Sequence, residues 1–164
     1  MQHTPGSDPP DQLLSLIHGV STASRQLRRK LAEVAATCDL SDSELLVVWL
    51  CRGEGRVQVE LAAAVGVSPA QMSGLAERLG KRQLVALNRP ARDRRRQVCR
   101  TTAAGEALLV KAAAPLVGLA ATFADRLAPH EHLQLQSLCQ RLTAATGESP
   151  RELHDEQPVC QEAA

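Results

Sequence analysis

A mostly α-helical (α+β) chain carrying one small β-hairpin is the fold this sequence predicts, and three observations predict it. Apolar residues make up 44% of the 164 positions, yet Trp49 and Phe123 are the only aromatics. The interior must therefore be built from Leu, Val and Ala, as in packed helices. Apolar residues also recur every three or four positions over long stretches, the period of a helix with one buried face. Only between Leu84 and Thr101 does that period give way to two short β-type runs around a turn-rich, basic segment.

Residues 1–10 contain three prolines, predict a disordered start and are left out of the fold. From Asp11, the positions Leu13, Ile17, Val20, Leu27, Leu31 and Val34 step by three and four, with Ser24 in the remaining slot, so a long helix spans 11–36. Its apolar stripe is a narrow seam suited to packing on another helix, in the same chain or in a second copy. Ser41-Asp42-Ser43-Glu44 is a capping box that starts a helix through Leu45, Val48 and Leu50, stopping near Gly53-Glu54-Gly55. A short alanine-rich helix then spans Val57 to Val65 and ends at Gly66. Ser68-Pro69-Ala70-Gln71 is a second capping box with proline at the first helical position, opening a helix through Met72, Leu75, Leu79 and Lys81.

Helix, glycine-bearing turn, then a helix opened by Ser-Pro is the helix-turn-helix pattern. Leu61, Ala62 and Val65 face Leu75 and Leu79, while Gln71, Ser73, Gly74, Glu77 and Arg78 stay exposed as short or polar side chains able to enter a major groove. Leu84 to Leu87 and Arg96 to Thr101 read as two strands around the basic tip Asn88-Arg89-Pro90-Ala91-Arg92-Asp93, a wing placed directly after the recognition helix. Thr102 caps a helix running to Phe123, in which Pro115 should introduce a kink. Ala128-Pro129 opens a last helix through Leu133, Leu135, Leu138 and Leu142, ending near Gly147. The expected organisation is one domain over 11–146, with a DNA-binding lobe at 41–101 between flanking helices at 11–36 and 102–146. An acidic, mobile tail follows at 147–164.

The net charge of +1 conceals a strong asymmetry. Nine basic residues lie between Arg78 and Arg100 against the single acid Asp93, whereas the tail carries Glu148, Glu152, Asp155, Glu156 and Glu162 against Arg151. A local basic stripe in a near-neutral protein points to a polyanion, here double-stranded DNA. The residues expected to contact it are Ser68, Pro69, Gln71, Met72, Ser73 and Arg78 on the helix, and Arg89, Arg92, Asp93, Arg94 and Arg95 on the wing.

The run Val67-Ser68-Pro69-Ala70-Gln71-Met72-Ser73-Gly74-Leu75-Ala76-Glu77-Arg78-Leu79, the Leu84-Val85 strand, Asp93-Arg94-Arg95 and Thr102-Ala103-Ala104-Gly105 together resemble the MarR family of bacterial regulators (multiple antibiotic resistance regulators). The resemblance spans about Asp11 to Thr146. It implies a winged helix-turn-helix repressor whose first and last helices interlock two copies, with Asp93 shaping the wing and Arg95 reaching into a minor groove. A homodimer seam of Leu13, Ile17, Val20, Leu27, Leu31, Leu135, Leu138 and Leu142 accords with the apolar stripes. The sequence departs from the family pattern at Gln83, where glycine is usual, and at Thr101, where an apolar residue is usual. The resemblance also implies a pocket between the dimer helices and the DNA lobe, where many members bind small aromatic acids or phenols. This chain has no Tyr, so a small-molecule effector is left unidentified.

Enzymatic chemistry has few candidates. His130-Glu131-His132 lacks the His-Glu-x-x-His spacing of a zinc site and reads as a surface helix start. Neither a metal nor a cofactor is expected. Cys38, Cys51, Cys99, Cys139 and Cys160 contain no CxxC pair and read as packing thiols of a reducing compartment. Cys99, between basic residues on the wing strand, is the candidate for an oxidation-sensing alternative. A protein-binding module that no longer binds DNA is the other alternative. No apolar run of membrane length and no signal peptide is recognised, so a cytoplasmic protein is expected.

Overall fold

The computed structural model describes residues 8–88, 97–124 and 126–145. The chain divides into two units, Met1–Arg126 and Leu127–Ala164. The first holds α1 (Pro9–Ala36), α2 (Asp42–Leu50), β1 (Arg56–Val57), α3 (Gln58–Val65), α4 (Pro69–Lys81), β2 (Val85–Asn88), β3 (Val98–Thr101) and α5 (Ala103–Ala124); the second holds α6 (Pro129–Ala145). Residues 1–7, 89–96, 125 and 146 onward lie outside the described residues, and with them the expected disordered start, basic wing tip and acidic tail.

Local chemistry sets the helix starts. At α2 the Ser41 hydroxyl accepts from the Glu44 amide at 3.2 Å while the Glu44 carboxylate accepts from the Ser41 amide at 2.9 Å. At α4 Ser68 and Gln71 repeat that reciprocal pair at 3.2 and 2.9 Å. The Thr102 hydroxyl accepts from the Gly105 amide at 3.1 Å at the head of α5, and that helix continues across Pro115.

Two helix ends share one geometry with different residues in it. Past α3, Gly66 takes φ 75° and the Val67 amide returns to the Ala62 carbonyl at 3.0 Å. Past α4, Gln83 takes φ 58° while Leu84 donates back to Leu79 at 3.0 Å and Gln83 to Gly80 at 2.9 Å. Glycine adopts that left-handed conformation freely, whereas a Cβ-bearing residue does so at a cost of about 1 kcal/mol.

The sheet is antiparallel in the order β1-β3-β2, with Arg56 opposite Cys99, and Val85 opposite Thr101. Strand β1 corrects the sequence reading, which began a helix at Val57: two residues carry no readable period. Gly55 permits this pairing, because a Cβ there would lie 2.6 Å from the Cys99 carbonyl oxygen. Thr101, polar where an apolar residue was expected, donates its hydroxyl to the Val48 carbonyl at 2.5 Å and its amide to the Cys51 carbonyl at 3.0 Å. It thereby fastens β3 to the end of α2.

The core lies between α2, α3, α4 and the sheet, where Leu61, Met72, Leu79, Val47, Val48 and Val65 are fully enclosed. Helix α1 contributes Val34 and Ala35 at its C-terminal end, and α5 contributes Ala112. At the start of α5, Gly105 passes so close to β2 that a Cβ would fall 2.3 Å from the Leu84 carbonyl oxygen. The apolar stripe of α1 is wider than a narrow seam, since Leu14 and Leu16 are exposed along with Leu13, Ile17, Val20 and Leu27. Leu31, the last of the α1 residues expected in a dimer seam, packs partly buried against the chain's own core. The expectation that no segment reaches membrane length is also corrected. By length and composition Ala103–Thr122 does so, with a mean hydropathy of 1.5, although Glu106 within it is ion-paired to Arg52.

In the second unit, α6 opens with Glu131 accepting from the Ala128 amide at 2.8 Å. That capping bond accounts for the acid between His130 and His132. The described side chains from Pro129 to Ala144 are exposed, among them Leu133, Leu135, Leu138 and Leu142.

Candidate nucleic-acid interface

Helix α4 has two chemically distinct faces. Met72, Leu75, Ala76 and Leu79 are buried against the lobe. Ser68, Pro69, Ala70, Gln71, Glu77, Arg78 and Lys81 are exposed, and Ser73 and Gly74 are half-buried. An open groove of about 570 Å³ runs along this second face, lined by Ser41 and Ser43 from the start of α2 and by Gln71, Gly74 and Arg78 from α4. Short side chains at the capped starts of two helices and the Arg78 guanidinium therefore border one concavity.

Met72 was expected to contact DNA, and the structure corrects this: its side chain is wholly enclosed and serves the core. The helical period explains the error, because Met72 sits three positions before Leu75 and seven before Leu79, on the buried face. Gln71 is exposed as expected, but its side-chain oxygen is committed to the Ser68 amide at 2.9 Å, which leaves the amide NH₂ as the group free to meet a base edge. Arg89, Arg92, Asp93, Arg94 and Arg95 lie outside the described residues. The strands before and after them in sequence are described: β2 ends at exposed Asn88, opposite Val98, and Arg100 is exposed on β3.

Two arginine contacts hold α4 and a third joins α1 to α2 and α3, and sequence reasoning singled out none of them. Arg78 Nε donates to Glu44 at 3.1 Å, so the residue that caps α2 also grips the outer face of α4. Burial alone would raise the Glu44 pKa. The hydrogen bond from the Ser41 amide, those from Arg78 and the Ser41 hydroxyl, and the guanidinium charge outweigh it and hold Glu44 below its ordinary range. Arg28, in mid-α1, donates to Asp42 at 3.0 Å and also to the Val65 carbonyl, joining α1 to the start of α2 and the end of α3. Arg82 donates to the Asp39 carbonyl at 2.6 Å, beyond the end of α1. These partners stand between 14 and 43 positions apart, and no local pattern announces such pairs.

Cys99 corrects a second expectation. It is fully buried rather than exposed between basic residues, because it points from β3 into the core of the lobe. Cys38 and Cys51 are buried too, as packing thiols should be, whereas Cys139 is exposed on α6. Among the described residues no group of three or more His, Cys, Asp or Glu is placed to hold a metal ion.

A helix-turn-helix followed by a two-stranded hairpin, with a third short strand closing the sheet, makes this a winged helix-turn-helix protein. The comparisons with solved structures place that lobe and its long helices in one known architecture. The transcriptional regulator BldR from Sulfolobus solfataricus superposes with a TM-score of 0.71 at 22% identity, covering 84% of this chain and 99% of that one. MepR from S. aureus in its DNA-binding conformation gives 0.67 at 16% identity, over 80% and 98%. A MarR-family regulator from Rhodococcus sp. RHA1 gives 0.66 at 19% identity, over 88% and 99%. The chain thus has the fold of the MarR-family regulators. No family model matches the sequence. No curated protein matches it either.

Proposed function

We propose that this chain is a transcriptional regulator that binds double-stranded DNA sequence-specifically as a homodimer, on a pseudo-palindromic operator, and acts as a cytoplasmic repressor. The observation that carries this reading is the exposed polar face of α4, bordered by a groove and followed immediately by a hairpin whose strands lead to a cluster of arginines. In this reading α4 enters a major groove, and Arg89, Arg92, Arg94 and Arg95 meet phosphates or a minor groove. The dimer is supported by the exposed Leu13, Leu14, Leu16, Ile17 and Val20 on α1 and, separately, by the exposed Leu135 and Leu138 on α6, apolar side chains that favour a partner over water. Nothing in this reading calls for catalysis.

Mobility shift against genomic fragments tests it. Bound duplex should be released by salt with a slope of log affinity on log salt of about −5 to −9, as for six to ten phosphates neutralised. Arg95→Ala should weaken operator binding by about 1–3 kcal/mol per protomer and flatten that slope. A parent protein that ignores duplex DNA at low salt sinks the proposal.

A further inference from the structure

Helices α2 and α4 open with the same kind of capping box, Ser41 to Glu44 and Ser68 to Gln71, yet the closing residue is an acid in one and an amide in the other. Capping uses one side-chain oxygen of that residue. In α4 it is Oε1 of Gln71, which accepts from the Ser68 amide at 2.9 Å. In α2 it is Oε2 of Glu44, which accepts from the Ser41 amide at 2.9 Å and from the Ser41 hydroxyl at 3.0 Å. Glu44 therefore has a second oxygen that the cap does not need, and this Oε1 accepts from Nε of Arg78 at 3.1 Å. The single oxygen of a glutamine could not be shared between the two donors in this way.

Exposure within the pair is lopsided, with 13% of the Glu44 side chain open to solvent against 59% of Arg78. The carboxylate sits behind and the guanidinium in front. With Nε held toward α2, the guanidinium lies back over Gly74, where an added Cβ would stand 3.6 Å from Nη1. Nη1 and Nη2 have no partner among the described residues, and Arg78 borders the groove together with Ser41, Ser43, Gln71 and Gly74. We propose that Glu44 is a positioning residue that makes Arg78 a phosphate clamp: the terminal N–H groups of Arg78 grip one phosphodiester per protomer, on the DNA backbone along the α2–α4 groove, and read no base. This rests on the DNA-binding reading above and assigns a role within it.

A base-reading arginine extends from its helix to lay two coplanar N–H groups on guanine O6 and N7. Arg78 is instead folded back along α4 and tied to the neighbouring helix, which leaves its outer edge for an oxyanion. Glu44 also subtracts charge, so the sign of its effect has to be decided. The exposed guanidinium is well screened by solvent, which makes the subtraction small. Holding one long side chain in place before binding gains about two- to tenfold in affinity, and this is the larger effect.

The test is duplex binding by the full-length protein, Arg78→Ala, Glu44→Ala and the double variant, against the genomic fragment retained in mobility shift and a scrambled duplex of equal length, at two salt concentrations. Arg78→Ala should weaken both duplexes by the same factor, about tenfold, and lower the salt slope by about one per protomer. Glu44→Ala should weaken both by about threefold, and by nothing further once Arg78 is alanine. Loss of the α2 cap alone would act equally in either background, so additive losses overturn the role of Glu44. Glu44→Gln, which can keep the cap with its one oxygen, should give the same non-additive pattern and serves if Glu44→Ala folds poorly. Tighter binding by either Glu44 variant overturns the proposal, because Glu44 would then be competing with DNA for Arg78. A loss in Arg78→Ala confined to the genomic fragment overturns the phosphate assignment. A parent protein that binds neither duplex overturns the DNA-binding reading as well, whereas the other failures leave that reading standing.

Discussion

The lobe from Leu40 to Thr101 and the first two-thirds of α1 contain similarly apolar side chains and dispose of them in opposite ways. In the lobe, Leu61, Val65, Met72 and Leu79 have no exposed surface to speak of. Along α1, Leu13, Leu14, Leu16 and Ile17 each keep about half or more of theirs. The changeover falls inside one helix: Leu27 is still 45% exposed, Leu31 packs partly on the core, and Val34 and Ala35 are buried. What differs is the partner, not the residue type. The lobe closes on itself through three short helices and a sheet, whereas the side chains of the upstream part of α1 are left uncovered by the other elements of its unit.

If that contrast is right, the two regions should fail in different ways. The largest effect is expected at Gly105, where a methyl group would collide with the Leu84 carbonyl at 2.3 Å and with the Thr101 methyl at 2.7 Å. Gly105→Ala should destabilise the lobe by about 3 kcal/mol or more, read from denaturant unfolding. A change under about 0.5 kcal/mol would show that α5 does not start where described. Ile17→Asp on α1 should do the converse. Secondary structure and the lobe's proton-exchange protection should persist, while self-association weakens by about 2 kcal/mol or more, roughly thirty-fold, in sedimentation. Unchanged association at micromolar concentration breaks the reading of the exposed stripe as an interface.

A smaller effect belongs to the Glu44 link between α2 and α4. A carboxylate held below its ordinary value of 4.5 stabilises the folded state above that pH, and the contribution disappears as pH falls through the lowered folded value. Glu44→Gln should therefore cost about 0.5–1 kcal/mol at pH 7, and the two proteins should converge in stability well below pH 4.5. A gap that is constant with pH would mean that the charge on Glu44 is not what holds Arg78. The smallest effect should be a gain. Gln83→Gly relieves the left-handed residue after α4 and should raise stability by about 0.5–1 kcal/mol without altering association. A loss instead would show that the Gln83 side chain has a role its exposure does not suggest.

Sequence alone determined the local events. Ser41 and Ser68 were legible as caps because the reciprocal bond needs only residues three apart, and Gly66 was legible as a helix end because glycine adopts the left-handed φ freely, whereas nothing in the Gln83 side chain announced its φ of 58°. The helical period separated Leu75 and Leu79 from Arg78, and neglect of that same period misplaced Met72. Tertiary structure decided whatever depends on residues distant in the chain. It paired Arg28 with Asp42 and Val65, tied Glu44 to Arg78, and turned Cys99 inward to the core. It also made a strand of Arg56 and Val57, which exists because Gly55 lets the chain lie against Cys99. An apolar stripe states that a face must be covered; which of its residues the chain covers itself, Leu31 and Val34 but not Ile17, is set by how far the neighbouring elements reach.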